Sequence, residues 1–424
     1  MISSFEFKLS SAYRLVARVR SLFWIILPLV TGTARTGASE NVFLTGVPDY
    51  AWFYGCFGTA TGNLMGFWDR HGLPDYYTGL TEGGMAPLDT IGSHQSITSL
   101  WVSEAGRDGR PADRPGHLDD YYVAYQSTAE DPYASAGRQE HSPDCIGDFL
   151  GLNQRKWTNL NNECAGNVDG FSFNFFEPTG VRWVNFSPPA LPSGPVPDIQ
   201  SGLREFSHYR GYAADAFSQL ADFHPSTQIG QGFSFADLRA EIDGGYPVLV
   251  FLQNHSEFSR TIDGIPGLNP EIHGMLIYGY LVTEAGQQFA RFRTSWASGD
   301  LQFSEWVDVN WTPEGELNLP VRGVIGFHPH PRIREVRPDS QGVTIRWDGP
   351  LAEVRDDLAE TVRPAHYYVV DRAARLEGPY HQASPPVAAL ESRVESCCEG
   401  AAFFRVRLVA PPSEAALAPA SARD

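Results

Sequence analysis

The run Gly55-Cys56-Phe57-Gly58-Thr59-Ala60-Thr61-Gly62-Asn63-Leu64-Met65-Gly66-Phe67-Trp68-Asp69-Arg70 places a cysteine at the head of a helical pattern. Ala60, Leu64, Phe67 and Trp68 recur at helical spacing and Gly72 supplies a stop, so a helix starting just after Cys56 is predicted. A thiol at a helix N-terminus feels the partial positive charge of unpaired backbone N–H groups. That charge favours thiolate over thiol, and thiolate is the nucleophile. The preceding text, Val47-Pro48-Asp49-Tyr50-Ala51-Trp52-Phe53-Tyr54, is aromatic with one charge.

A cysteine nucleophile at neutral pH needs a proton carrier, for which histidine is suited. Of 12 histidines, one has the context for that role: His273 opens the apolar run Gly274-Met275-Leu276-Ile277-Tyr278-Gly279-Tyr280. At the start of a strand its imidazole is expected to face a cleft rather than the core. Further elements follow from pattern. Ser234 and Asp237 form a capping box opening a helix that Gly244 and Gly245 close, and Pro247 to Leu252 is a buried-strand run. Strands are also predicted over Gln288 to Arg293 and Glu305 to Val309.

Gly55-Cys56-Phe57-Gly58-Thr59-Ala60 before a helix, His273 before an apolar strand ending in Gly279-Tyr280, and Thr294-Ser295-Trp296 after another strand resemble the papain-like cysteine peptidase superfamily. The likeness is closest to its bacteriocin-processing (double-glycine leader) peptidase branch, where Val-Pro text precedes a Gly-Cys and a helix. The resemblance implies an α+β, two-lobed fold over residues 41–328, with a helical lobe carrying the nucleophile and an antiparallel sheet lobe carrying the histidine. It implies hydrolysis of peptide or amide bonds through an acyl-thioester, with Cys56 as nucleophile, His273 as base and no cofactor. The third catalytic position, usually Asn or Asp in the family, matches Thr294; its oxygen, or Asp300 six residues on, would orient the imidazole. The family's oxyanion-hole Gln has no counterpart between Val42 and Cys56. Tyr50 or Trp52, with the Cys56 backbone N–H, is expected to donate instead. These two departures support an alternative: a catalytically degenerate papain-like extracellular binding protein. A transglutaminase-like acyl transferase would use the same Cys and His with another acceptor.

Residues 331–411 show short strands at Arg332 to Val336, Val343 to Trp347, Tyr367 to Asp371 and Phe403 to Leu408, separated by turn-rich text. They resemble a fibronectin type III domain, a small β-sandwich, which would present the catalytic unit to a cell surface or polymer. A tyrosine that pins the corner before the late strand is common in such sandwiches; Phe403 and Phe404 stand in its place.

Composition narrows the partners. Thirty-two Lys and Arg against 50 Asp and Glu give a net charge of −18, which repels phosphate backbones and argues against nucleic acid. A peptide or protein substrate is the expected partner. Residues 1–38 have a signal-peptide layout: Lys8, Arg14, Arg18 and Arg20, the apolar run Leu22 to Val30, then small residues to Ala38. The chain is therefore expected to be secreted or periplasmic. Of the five cysteines, Cys145 and Cys164 would close a short disulfide loop, while Cys397 and Cys398 would each stay reduced or bridge to one another. His117, Asp119 and Asp120 read as a solvated turn, so no metal is expected.

Overall fold

The computed structural model describes residues 39–52, 56–77, 84–89, 100, 146, 199–223, 232–253, 261–262, 265–266, 272–296, 301–310, 318–395 and 402–412. The expected export segment, the expected solvated turn at 117–120 and Cys145, Cys164, Cys397 and Cys398 lie outside them. So does Asp300.

Among the described residues the fold is rich in antiparallel sheet, with few helices. Its elements run β1 (Glu40–Leu44), α1 (Cys56–Arg70), α2 (Ile199–Tyr209), β2 (Ala214–Leu220), α3 (Phe235–Asp243), β3 (Val248–Gln253), β4 (Thr261–Ile262) and β5 (Ile265–Pro266). Then come β6 (Ile272–Val282), β7 (Gln288–Arg293), β8 (Leu301–Glu305), β9 (Asp308–Asn310) and β10 (Asn318–Pro329). The C-terminal part holds β11 (Arg332–Asp339), β12 (Gly342–Asp348), β13 (Glu353–Asp356), β14 (Thr361–Pro364), β15 (Tyr367–Ala373), β16 (His381–Gln382), β17 (Glu391–Glu395) and β18 (Phe403–Val409). No described helix is long and apolar enough to cross a membrane.

The main sheet runs β14-β13-β1-β6-β3-β10-β2, with β7 and β8 continuing from β6. Strand β6 organises it. Ile272 to Ile277 pair with β3, Gly279 to Val282 pair with β1, and the opposite edge from Leu276 to Val282 takes β7. A bulge between Ile277 and Gly279 re-aims the strand between its two partners.

Helix α1 is the core of the molecule: 14 of its 15 residues are buried. An amphipathic surface helix would expose one face; burial all round accords with a sequence that has no charge before Asp69. Gly66 admits Tyr50, whose hydroxyl would stand 2.6 Å from a Cβ there, and the Tyr50 N–H donates to Asn63 Oδ1 at 2.8 Å. Gly72 follows the helix at φ +95, where a Cβ would meet the Gly349 carbonyl at 2.1 Å. Both the left-handed backbone and the close approach call for glycine. The Ser234–Asp237 capping box opens α3 as its sequence predicts.

Two expectations need correction. The predicted strand Glu305 to Val309 is two strands, β8 and β9, which pair with different partners, β7 and β10. The C-terminal segment is also not confined to a sandwich. Its sheets β11-β12-β17 and β16-β15-β18 enclose Ile345, Trp347, Tyr368, Val370 and Val394, but hairpin β13–β14 joins the main sheet by pairing with β1. Tyr368 is buried and its hydroxyl donates to the Pro350 carbonyl, so a tyrosine of β15 pins this region while Phe404 packs against its core.

Candidate active site

Cys56 is the first residue of α1, buried and outside any disulfide. Its helix is fastened from within: the Thr61 hydroxyl, one turn on, contacts the Phe57 and Gly58 carbonyls, each at 2.8 Å. The next residue, Phe57, lies over the cross-strand pair Gly274 and Phe251. Its ring stacks on Phe251 with centroids 4.1 Å apart, and three of its atoms would stand 2.6 to 2.8 Å from a Cβ at Gly274. The residue after the cysteine therefore packs on the residue after His273.

His273 is the second residue of β6 and only 1% exposed, which corrects the expectation that it faces an open cleft. Trp296 covers it, with ring centroids 4.8 Å apart and planes within 8° of parallel. The imidazole Nε2 lies 2.7 Å from the Thr294 main-chain carbonyl. A carbonyl oxygen only accepts, so Nε2 carries the hydrogen of the neutral ring and Nδ1 keeps the lone pair. Burial pushes the His273 pKa down to about 4, against the smaller opposing effect of the Thr294 bond. The ring is thus a neutral base at physiological pH.

Thr294 orients His273, but through its backbone. Its side-chain Oγ1 instead faces the Trp296 N–H at 3.4 Å, so the hydroxyl expected to steady the ring does other work. The oxyanion expectation for Tyr50 also fails: its hydroxyl donates to the Pro87 carbonyl at 2.8 Å, and the ring is fully buried beside Gly66. Trp52 remains 41% exposed, and its backbone N–H donates to the Trp296 carbonyl at 2.9 Å. That bond ties the segment leading to Cys56 to the segment leaving Thr294, so three distant parts of the chain meet in one place.

No family model, curated protein or solved structure matches the chain.

Two features of the site were not read from sequence. Trp296 was part of the motif but carried no assigned role, although an aromatic two residues after the histidine's partner was the available signal. Ser295 adopts φ 62 and is 1% exposed, with its Oγ lacking a hydrogen-bond partner among the described residues. A left-handed serine costs on the order of 1–3 kcal/mol, and the buried hydroxyl adds to that. This turn lets the Thr294 carbonyl point at His273 while Trp296 folds back over the ring. Among the described residues, no group of three or more His, Cys, Asp and Glu is arranged to hold a metal.

Proposed function

We propose that the chain is a cysteine peptidase of papain-like type, exported from the cytoplasm and acting on peptide or protein substrates without a cofactor. The observation that carries the reading is the clamp on His273. A main-chain carbonyl fixes Nε2–H at 2.7 Å, which leaves Nδ1 as the proton acceptor, and the Phe57–Gly274 contact joins the histidine's strand to the cysteine's helix. In the proposed reaction Nδ1 takes the Cys56 Sγ proton as sulfur attacks the substrate carbonyl carbon. The C–N bond then breaks, the imidazolium protonates the leaving amine, and water hydrolyses the thioester.

Burial favours a neutral resting imidazole. An imidazolium at His273 would be buried against a carbonyl dipole, and burial disfavours its charge, so the charged form is transient. The test is acylation by p-nitrophenyl acetate at pH 7. The wild-type protein should release one equivalent of nitrophenolate in a burst and carry an acetyl group on Cys56 by mass spectrometry. Cys56→Ser should abolish the burst, and His273→Ala should slow it by about a hundredfold or more. Equal rates in wild type and His273→Ala would refute the pairing.

A degenerate papain-like binding protein is the second reading, favoured by one observation: Trp296 covers an imidazole that is already 1% exposed. It calls for no burst from a folded wild-type protein.

A further inference from the structure

A second feature of the main sheet lies outside this chemistry. Register places Arg355 opposite Phe43, Phe43 opposite Gly279 and Gly279 opposite Arg291, so one row crosses β13, β1, β6 and β7. Directly opposed residues share a face of the sheet. Gly279 is the gap in that row: a Cβ there would strike the Phe43 Cβ at 2.5 Å. Across it the Arg291 guanidinium reaches to 3.9 Å from the centre of the Phe43 ring, and Arg355 approaches the same ring at 6.0 Å. Arg293, two residues along β7, lies 4.6 Å from the Tyr278 ring, and Arg291 lies 5.5 Å from it.

These side chains, with Leu88, line a cleft of about 360 Å³. Three guanidinium groups line it and no carboxylate does, in a chain whose acids outnumber its bases by 50 to 32. The nearby acids act from outside the lining. Asp49 pairs with Arg293 at 3.2 Å, and Asp357 with Arg355 at 2.5 Å. Neither saturates the cluster: the Arg293 Nε–H is buried and has no hydrogen-bond partner among the described residues. Each guanidinium carries five N–H donors, and groups of this kind clustered beside aromatic rings are suited to binding a planar or tetrahedral oxyanion by more than one bond.

We propose that this cleft is a binding site for an oxyanion, the carboxylate or phosphate of a ligand, gripped by Arg291, Arg293 and Arg355 over the Phe43 and Tyr278 rings. Position gives it a consequence. Arg293 also donates to the Val47 carbonyl at 2.8 Å and immediately precedes Thr294. An anion drawing on Arg293 would therefore pull on the strand end that holds His273 and on the segment that leads towards Cys56.

The experiment is calorimetric titration of the full chain with inorganic phosphate and, separately, with glutarate, at pH 7 and constant ionic strength set by chloride. Saturable binding of either probe is expected, and the preferred probe identifies the oxyanion. Arg291→Gln and Arg355→Gln should each weaken it about tenfold or more, while Arg405→Gln, on the remote strand β18, should leave it unchanged. Thermal unfolding checks that each variant is folded; Arg355, half exposed on a hairpin, gives the variant least able to disturb the core. Absence of saturable binding by the wild type, or binding equally affected by all three substitutions, overturns the proposal. Because the readout is binding, it is independent of whether Cys56 acylates.

Discussion

Replacing Gly274 by alanine tests the contact on which the candidate site is built. The added methyl would stand 2.6, 2.7 and 2.8 Å from Cδ1, Cε1 and Cγ of Phe57, where an ordinary carbon contact is about 3.5–4 Å. Relief requires the ring to move by about 1 Å, and Phe251 already stacks on it at 4.1 Å, so the ring cannot simply rotate away. Overpacking of this kind costs about 1–3 kcal/mol, to be read from urea unfolding at pH 7. Cys56 is the neighbouring residue and should move with Phe57. A misplacement of about 1 Å where two groups must meet costs on the order of a hundredfold in rate, so the p-nitrophenyl acetate burst should slow accordingly. Phe57→Leu provides the internal control. In the double variant the smaller side chain makes room for the methyl, and the combined loss of stability should fall short of the sum by about 1 kcal/mol or more. Unchanged stability and acylation in Gly274→Ala, or strict additivity in the pair, would show that the helix does not press on this strand as described.

Two other expectations follow from buried imidazoles. Trp296→Ala admits water to His273 and should raise its pKa from about 4 towards the ordinary 6.5, measured by NMR titration; an unmoved titration would mean that other groups bury the ring. His71, His273 and His366 are held at about 4, 4 and 3 by burial, so the unfolded chain binds these protons first as pH falls below 6.5. Their contribution to stability is complete above 6.5 and is lost on acidification towards 4, at up to about 3 kcal/mol per histidine. Asp69 works in the opposite sense: burial raises it to about 7, so the folded state takes its proton earlier and offsets part of the loss. Urea midpoints at pH 7 and pH 5 should differ by less in His366→Phe than in wild type, and an equal difference would count against this assignment.

Much of the fold could be read from local pattern, because the elements concerned are specified by their own residues. The Ser234–Asp237 box, the apolar run of β3, the alternation of β7 and the head of α1 at Cys56 all carry their signals within a few positions. What sequence could not show was long-range pairing. Strand β1 is only five residues, and β13–β14 is short and polar, so nothing local indicates that Val42 to Leu44 pair with Val354 to Asp356. The site divides in the same way. Cys56 and His273 stand out as reactive residue types in suggestive contexts. The Thr294 carbonyl is a group every residue possesses, and no side-chain identity announces that it will be the one to hold a histidine. Tyr50 misled for a related reason: a phenol near a cysteine in sequence packs beside Gly66, nearly three turns further along the helix.

The pairing of β1 with hairpin β13–β14 has a consequence for how a nascent chain reaches its final form. Glu40 to Leu44 leave the ribosome early, yet their partners on one side are Gly279 to Val282 and on the other Val354 to Asp356. Until translation delivers those distant segments, an apolar strand has two open edges and invites pairing with another chain. Completion of this sheet is therefore a late event that waits for residues 354–356, and a truncation ending near residue 330 would leave a sticky flank in place of a shorter protein.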